Sequence, residues 1–216
     1  MKKFKNAIFD LDGTLLDSMA AWRNLGMDYL LHNKINPPSG LNEILAAMSI
    51  EEAAEYFRLT FNFKFSNEDI MWGIKSLIED KYKYELILKP YVKEYLLKLR
   101  EEGVNMCIAT ASPSSFAKAA LERNGIIKYF SCIISCDDVG VGKNKPDVFY
   151  LAAKKLGAKE CDTAVFDDAD FALITAKEAG FYTVGVYDEA YSNKRNIIES
   201  ISDFYIESFG ELLIHK

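Results

Sequence analysis

Apolar and polar positions alternate along this chain in two different rhythms, and the change of rhythm divides it. From about Pro90 onward one unit recurs: an amphipathic helix, a glycine, then a short apolar run. Over 91–102, Val92, Tyr95, Leu96 and Leu99 share one helical face, and Gly103 stops the helix ahead of a strand over 105–109. Helix 116–124 ends at Gly125 before the extended run Cys132-Ile133-Ile134. Helix 148–156 ends at Gly157 before 163–166, and helix 171–179 ends at Gly180 before 182–186. A glycine just past the last periodic residue marks a helix terminus, because it enters the left-handed region without a Cβ penalty. Phe204-Tyr205-Ile206 is expected to add an edge strand, and 210–214 a last short helix. Helices alternating with short apolar runs predict right-handed crossovers and a parallel sheet covered on both faces. Asn6-Ala7-Ile8-Phe9, near the start, has the same buried-strand composition.

Residues 17–89 break this rhythm, offering helix signals but no apolar strand. Ser49-Ile50-Glu51-Glu52 is a capping box opening helix 53–59, and Ser66-Asn67-Glu68-Asp69 resembles a second helix start, leading to about Tyr84. Pro37-Pro38-Ser39-Gly40 separates a first helix, 18–32, from the next. The expected fold is α/β: a doubly wound, mostly parallel Rossmann-like sheet with an all-helical domain inserted after the first strand. Residues 1–16 and 87–216 would form the core domain and 17–86 the insertion. Trp22, Trp72 and four of the six methionines fall in the insertion, where a small bundle needs large side chains for its core. The alternative for these residues is a greasy wall that excludes water from a site.

Composition narrows the function classes. A chain of 216 residues is long enough for a core domain carrying an insertion, and a half-apolar, 27% charged composition is that of a soluble globular protein. A net charge of −6 leaves no broad basic footprint for nucleic acid or an anionic membrane. Lys2, Lys3 and Lys5 resemble the start of a signal sequence, but Asp10 and Asp12 interrupt an apolar run already too short, and no run approaches membrane length. Cys107, Cys132, Cys136 and Cys161 lie in or beside apolar runs without CxxC spacing, and are expected to be reduced and packed. His32 and His215 are too few for a histidine-rich zinc site. The expectation is a cytoplasmic monomer without nucleic-acid or membrane partners.

The candidate chemistry sits at strand ends. Asp10 and Asp12, two positions apart at the end of the first strand, would lie on one face. A buried strand does not tolerate two unpaired carboxylates, so the pair reads as a site that holds a cation and attacks or protonates a substrate. The second strand delivers Thr110, Ala111 and Ser112, whose hydroxyls and free backbone N–H groups suit an anion; the alternative for Thr110 and Ser112 is capping the next helix. After the third strand, Lys143 and Lys145 offer point charges. The fourth runs into Asp167 and Asp168, repeating the electrostatic problem of the first, while Asp170 reads as a helix N-cap. A shared divalent cation solves both, and magnesium suits carboxylate ligands. Arg23 and Lys75, in the insertion, read as solvated helix faces that would otherwise contact a leaving group.

The ordered set Asp10-x-Asp12-Gly13-Thr14, Thr110, Lys143 and Asp167-Asp168 resembles the four motifs of the haloacid dehalogenase-like superfamily, across essentially the whole chain. The helical insertion stands where that family carries its first cap type, as in its helical-cap phosphatases and beta-phosphoglucomutase-like members. The resemblance implies Asp10 as a nucleophile forming an aspartyl-phosphate and Asp12 as general acid and base. It implies magnesium held by Asp10, the Asp12 carbonyl and Asp168, with Asp167 contributing directly or through water, and a phosphate bound by Thr110, Ala111 and Lys143. Relatives often carry the lysine four positions before the aspartate that opens the next helix, which selects Lys143 over Lys145. Asp12 implies phosphate esters rather than carbon–halogen or phosphonate bonds. Mutases of the family usually carry a histidine near Trp22, so the implied activity is hydrolysis of a small phosphorylated metabolite, of the sugar or nucleotide phosphate class. A sugar-phosphate mutase is the alternative, and a non-catalytic effector-binding protein a more distant one.

Overall fold

The computed structural model describes residues 2–45 and 48–214; Met1, Ala46, Ala47, His215 and Lys216 lie outside the described residues, and the expectation for His215 falls there. Among the described residues six strands form one sheet: β1 (Asn6–Phe9), β2 (Asn105–Thr110), β3 (Ile133–Ser135), β4 (Thr163–Asp167), β5 (Tyr182–Val186) and β6 (Phe204–Ile206). Their spatial order is β3-β2-β1-β4-β5-β6, and every neighbouring pair is parallel. The chain builds outward from β1 in one direction, then returns to lay β4 on its other side. That reversal makes a crevice beyond the carboxyl ends of β1 and β4, where doubly wound sheets bind ligands.

The helices in chain order are α1 (Met19–His32), α2 (Leu41–Leu45), α3 (Ile50–Thr60), α4 (Asn67–Tyr84), α5 (Val92–Glu101), α6 (Ser114–Arg123), α7 (Asp147–Leu156), α8 (Asp170–Glu178), α9 (Arg195–Ile201) and α10 (Glu211–Ile214). They form two compact units with the strands, Met1–Met19 with Leu86–Lys216, and Ala20–Glu85.

In the sheet unit, β1 and β4 are buried on both faces, which is why they read as unbroken apolar runs. On one face Ile8, Cys107, Ala109 and Val165 pack with Val148, Phe149 and Ala152 of α7 and Ala172 and Ala176 of α8. On the other, Phe9 stacks on Phe166 with ring centroids 4.5 Å apart, and Phe166 meets Tyr95 of α5 and Phe209. Each such ring withdraws roughly 150–250 Å² from water, so the ends of β1 and β4 are held as one rigid platform.

In the helical unit the expected capping box at Ser49 is formed, and the expected helix start at Ser66 is a second one. Ser49 accepts from the Glu52 amide while Glu52 accepts from the Ser49 amide, and Ser66 and Asp69 repeat the exchange. Its core is aromatic and aliphatic: Tyr29 stacks on Phe57, centroids 5.8 Å apart, with Leu25, Leu30, Ala54, Ile70, Ile74, Ile78 and Tyr82 buried. Trp72 corrects the expected tryptophan core, for it is 74% exposed. The buried stripe of α4 runs Ile70, Ile74, Ile78 and Tyr82, and a residue two positions from Ile70 and Ile74 points to the opposite side of a helix. Met19, Met27, Met48 and Met71 are only partly buried, and Trp22 spends its indole N–H on the Tyr82 hydroxyl at 3.0 Å.

Candidate active site

The Asp10 amide donates to the Phe166 carbonyl at 2.9 Å, carrying the β1–β4 ladder one residue past the strand and fixing Asp10 beside Asp167. The chain then turns tightly, with the Leu15 and Leu16 amides both donating to the Leu11 carbonyl at 3.0 and 2.8 Å. Gly13 makes the turn at φ 79°, and a Cβ there would lie 2.2 Å from Asp168 Oδ2. Only glycine satisfies both the backbone and the close approach.

Lys143, 6% exposed, lies between two of these carboxylates. Its Nζ donates to Asp10 Oδ1 and, at 2.8 Å, to Asp167 Oδ2. Asp167 Oδ1 accepts from the Ala169 amide at 3.0 Å, and Asp168 Oδ1 accepts from the Thr14 hydroxyl at 3.1 Å. Asp168 Oδ2 is buried and has no hydrogen-bond partner. Asp10, Asp167 and Asp168 each present a carboxylate oxygen, all within 4.8 Å of one another. Burial pushes the Asp10 carboxyl above its ordinary value against the pull of Lys143. Burial, then the charges of Asp10 and Asp167, push Asp168 well up. Lys143 goes the other way: burial alone would lower it, but Asp10 and Asp167 outweigh that and hold its ammonium above the ordinary lysine value. Three buried carboxylates against one ammonium leave negative charge uncompensated. An all-oxygen donor set with an orphaned oxygen fits a hard divalent cation.

Asp12 stands at the rim, partly exposed, and accepts from the Ser112 hydroxyl at 2.6 Å. The loop after β2 is tied down in turn: the Ser112 amide donates to Thr110 Oγ1 at 3.0 Å, and the Ser135 hydroxyl to the Ser112 carbonyl at 2.9 Å. Thr110 is fully buried and Ala111 exposed. The helix-capping alternative for Thr110 and Ser112 is not what the loop adopts, since α6 begins after Pro113 with no side-chain cap. Lys145 is exposed. Asp170 is also corrected: Ala169 is the N-cap of α8, and Asp170, in the first turn, takes both its oxygens to Lys194 Nζ at 3.0 and 2.9 Å. Arg23 and Lys75 are exposed, and Arg23 borders a cavity of about 300 Å³ inside the helical unit.

Two contacts carry no signal in the sequence, although Thr14 itself stands in the first acidic motif. Thr14 holds Asp168 across 154 residues of chain. Lys89, beyond the insertion, pairs with Asp188 at 2.8 Å and donates to the Tyr187 carbonyl at 2.6 Å, setting a second cation near Asp168. Cys107 and Cys136 are buried as expected, but Cys161 is exposed. Among the described residues no helix is long and apolar enough to cross a membrane.

A parallel sheet of this order, with carboxylates from β1 and β4 meeting a buried lysine, is the arrangement of a known hydrolase fold. Residues 4–180 match the model of the haloacid dehalogenase-like hydrolases, and the chain belongs to that family. It is 27% identical over 189 residues to the fructose-1-phosphate phosphatase YqaB of Escherichia coli, covering 86% of this chain and 97% of that one. To a phosphoglycolate phosphatase of Vibrio parahaemolyticus it is 29% identical over 218 residues, 95% and 92% of the two chains. A crystal structure of a candidate beta-phosphoglucomutase from Thermotoga maritima superposes with a TM-score of 0.83 at 21% identity, over 94% of both chains, and so shares the fold.

Proposed function

We propose that this protein is a magnesium-dependent phosphatase that hydrolyses a small phosphorylated metabolite through an aspartyl-phosphate on Asp10. The observation that carries the reading is the cluster of Asp10, Asp167 and Asp168 around Lys143 at the ends of β1 and β4. Relatives named as phosphatases of fructose 1-phosphate and phosphoglycolate support the substrate class, a small organic monophosphate.

Asp10, Asp168, Asp167 and the Asp12 carbonyl would hold the metal. When bound, it supplies positive charge that offsets repulsion between the Asp10 carboxylate and the substrate phosphate. Lys143 contributes to the same balance from the protein side and keeps the Asp10 carboxylate oriented. An Asp10 oxygen attacks phosphorus, the bond from phosphorus to the ester oxygen breaks, and Asp12 delivers a proton to that oxygen. Asp12 then takes a proton from water as the water attacks the acyl phosphate, releasing inorganic phosphate and restoring Asp10. Ser112 holds Asp12 for both transfers, and Thr110, Ala111 and Lys143 position the phosphate oxygens. The helical unit takes the part of the cap that selects the substrate. A cytoplasmic monomer without nucleic-acid or membrane partners completes the reading.

Hydrolysis is favoured over return of the phosphoryl group to another hydroxyl because Trp22 has no acid–base chemistry and its N–H is engaged by Tyr82. The test is turnover of an aryl phosphate with magnesium, and of a metabolite panel, by wild type and Asp10→Asn. Stoichiometric inorganic phosphate from wild type alone is expected. Equal rates in both proteins, or rearranged sugar phosphate without release, would overturn the reading.

A further inference from the structure

Two thiols on neighbouring strands form a cluster that phosphoryl chemistry does not use. The register sets Ile108 of β2 opposite Ile133 of β3, which brings Cys107 beside Cys132, and the Ile108 amide donates to the Cys132 carbonyl at 3.0 Å. Both side chains lie on the same side of the sheet, in or against the cluster formed with α7. Adjacent strands are spaced about 4.8 Å apart, inside the Cα separation of roughly 4.4–6.8 Å that a disulfide spans. Cys107 is fully buried, whereas Cys132 reaches solvent. The neighbouring Cys107 thiol lowers the Cys132 thiol to about 7, against burial and with help from the Lys155 ammonium, while the Cys107 thiol is pushed well up by Cys132 and by burial. One thiol is therefore reactive and reachable, and its partner is protonated and protected. Cys161, exposed, lies apart from this pair in the turn before β4.

We propose that Cys107 and Cys132 form a reversible dithiol–disulfide site oxidised by hydroperoxides, with Cys132 as the attacking sulfur and Cys107 as the resolving one. The Cys132 thiolate attacks one peroxide oxygen; a sulfur–oxygen bond forms, the oxygen–oxygen bond breaks, and the departing oxygen leaves as hydroxide or alkoxide and takes up a proton. The Cys107 sulfur then attacks Cys132, a sulfur–sulfur bond forms, the sulfur–oxygen bond breaks, and the departing hydroxide takes the Cys107 proton as water. Two thiols are oxidised by two electrons and one peroxide is reduced.

The experiment treats a Cys136→Ser, Cys161→Ser protein with equimolar hydrogen peroxide near pH 7. Expected are a mass loss of about 2 Da, disappearance of both titratable thiols, and recovery of both with dithiothreitol. Cys132 should react a few-fold faster than free cysteine near neutral pH, its larger thiolate fraction outweighing the weaker nucleophilicity of a lower-pKa thiolate. In Cys107→Ser the reaction should stop at a sulfenic acid on Cys132 that dimedone traps. A stable sulfenic or sulfinic acid on Cys132 with Cys107 still titratable would overturn the proposal, as would a rate no faster than free cysteine. Peptide mapping of oxidised wild-type protein for the Cys107–Cys132 cross-link gives the same reading without relying on the variants folding; its absence, with Cys132 oxidised, contradicts the assignment.

Discussion

Replacing Asp168 with asparagine should make the metal-free protein more stable and the magnesium-loaded protein less so, and this reversal tests the electrostatics of the site. Asp168 Oδ2 is buried without a partner, and the three clustered carboxylates approach within 4.8 Å. Two unit charges at 4.8 Å repel by about 3.5 kcal/mol in an effective dielectric of about 20. Lys143 already neutralises part of Asp10 and Asp167, and Thr14 loses a charged acceptor that contributes about 1.5 kcal/mol. The net gain expected for Asp168→Asn in EDTA is about 1–2 kcal/mol. With magnesium at about a hundred times its dissociation constant, wild type gains about 2.7 kcal/mol by mass action, while the variant gains little because one ligand has lost its charge. Urea unfolding in EDTA and in magnesium measures both signs. Circular dichroism is the probe of choice, since both tryptophans lie in the helical unit and would report that unit alone. A variant less stable than wild type in EDTA, or one stabilised by magnesium as much as wild type, would refute the reasoning.

Gly13→Ala places a methyl where Asp168 Oδ2 now lies, at a φ that costs an alanine about 1–2 kcal/mol. Loss of about 2 kcal/mol by denaturant titration, with a large drop in turnover, is expected; wild-type turnover would show that Asp168 is free to move. Lys143→Ala strips the cation from two buried carboxylates and should cost about 3–5 kcal/mol of metal-free stability, whereas exposed Lys145→Ala should stay within about 0.5 kcal/mol. Full turnover in the first with loss in the second would reverse the assignment of the lysine. Asp203 is held below the ordinary aspartate value: burial raises it, but the Thr183 backbone amide, Lys177 and the Thr183 hydroxyl together lower it more. A depressed native value contributes stability above the unfolded-state value near 3.8 and loses it as pH falls through the native one. Wild type should therefore exceed Asp203→Asn by about 1 kcal/mol near neutral pH, and the gap should close as pH falls from the unfolded-state value through the lower native one. A gap that widens in acid would contradict the assignment.

What the sequence revealed is local in character. The strands read correctly because burial on both faces leaves an apolar run that needs no tertiary knowledge, and the capping boxes at Ser49 and Ser66 are complete within four residues. The acidic pairs are visible because carboxylates directly after an apolar strand have no packing role; Asp10, Asp167 and Asp168 are buried there, while Asp12 is partly exposed. Contacts across the sheet were not visible in the same way. Nothing beside Ser112 says that its hydroxyl will be spent on Asp12, and nothing around Lys89 indicates Asp188, because the sheet order joins them across about a hundred residues. Trp72 departs from the burial its residue type suggests, because the stripe Ile70, Ile74, Ile78 takes the inner face of α4. Asp170 missed the capping position by one residue, and Lys194, which binds it, lies on the far side of β5 in the chain.

The most direct measurement is the fate of the phosphoryl group. Protein mixed with magnesium and a phosphorylated metabolite that it turns over, quenched in acid within one turnover and digested, should carry phosphate on the peptide containing Asp10. The adduct should be absent from Asp10→Asn. Phosphate on another residue, or full-rate hydrolysis by Asp10→Asn, would contradict the account.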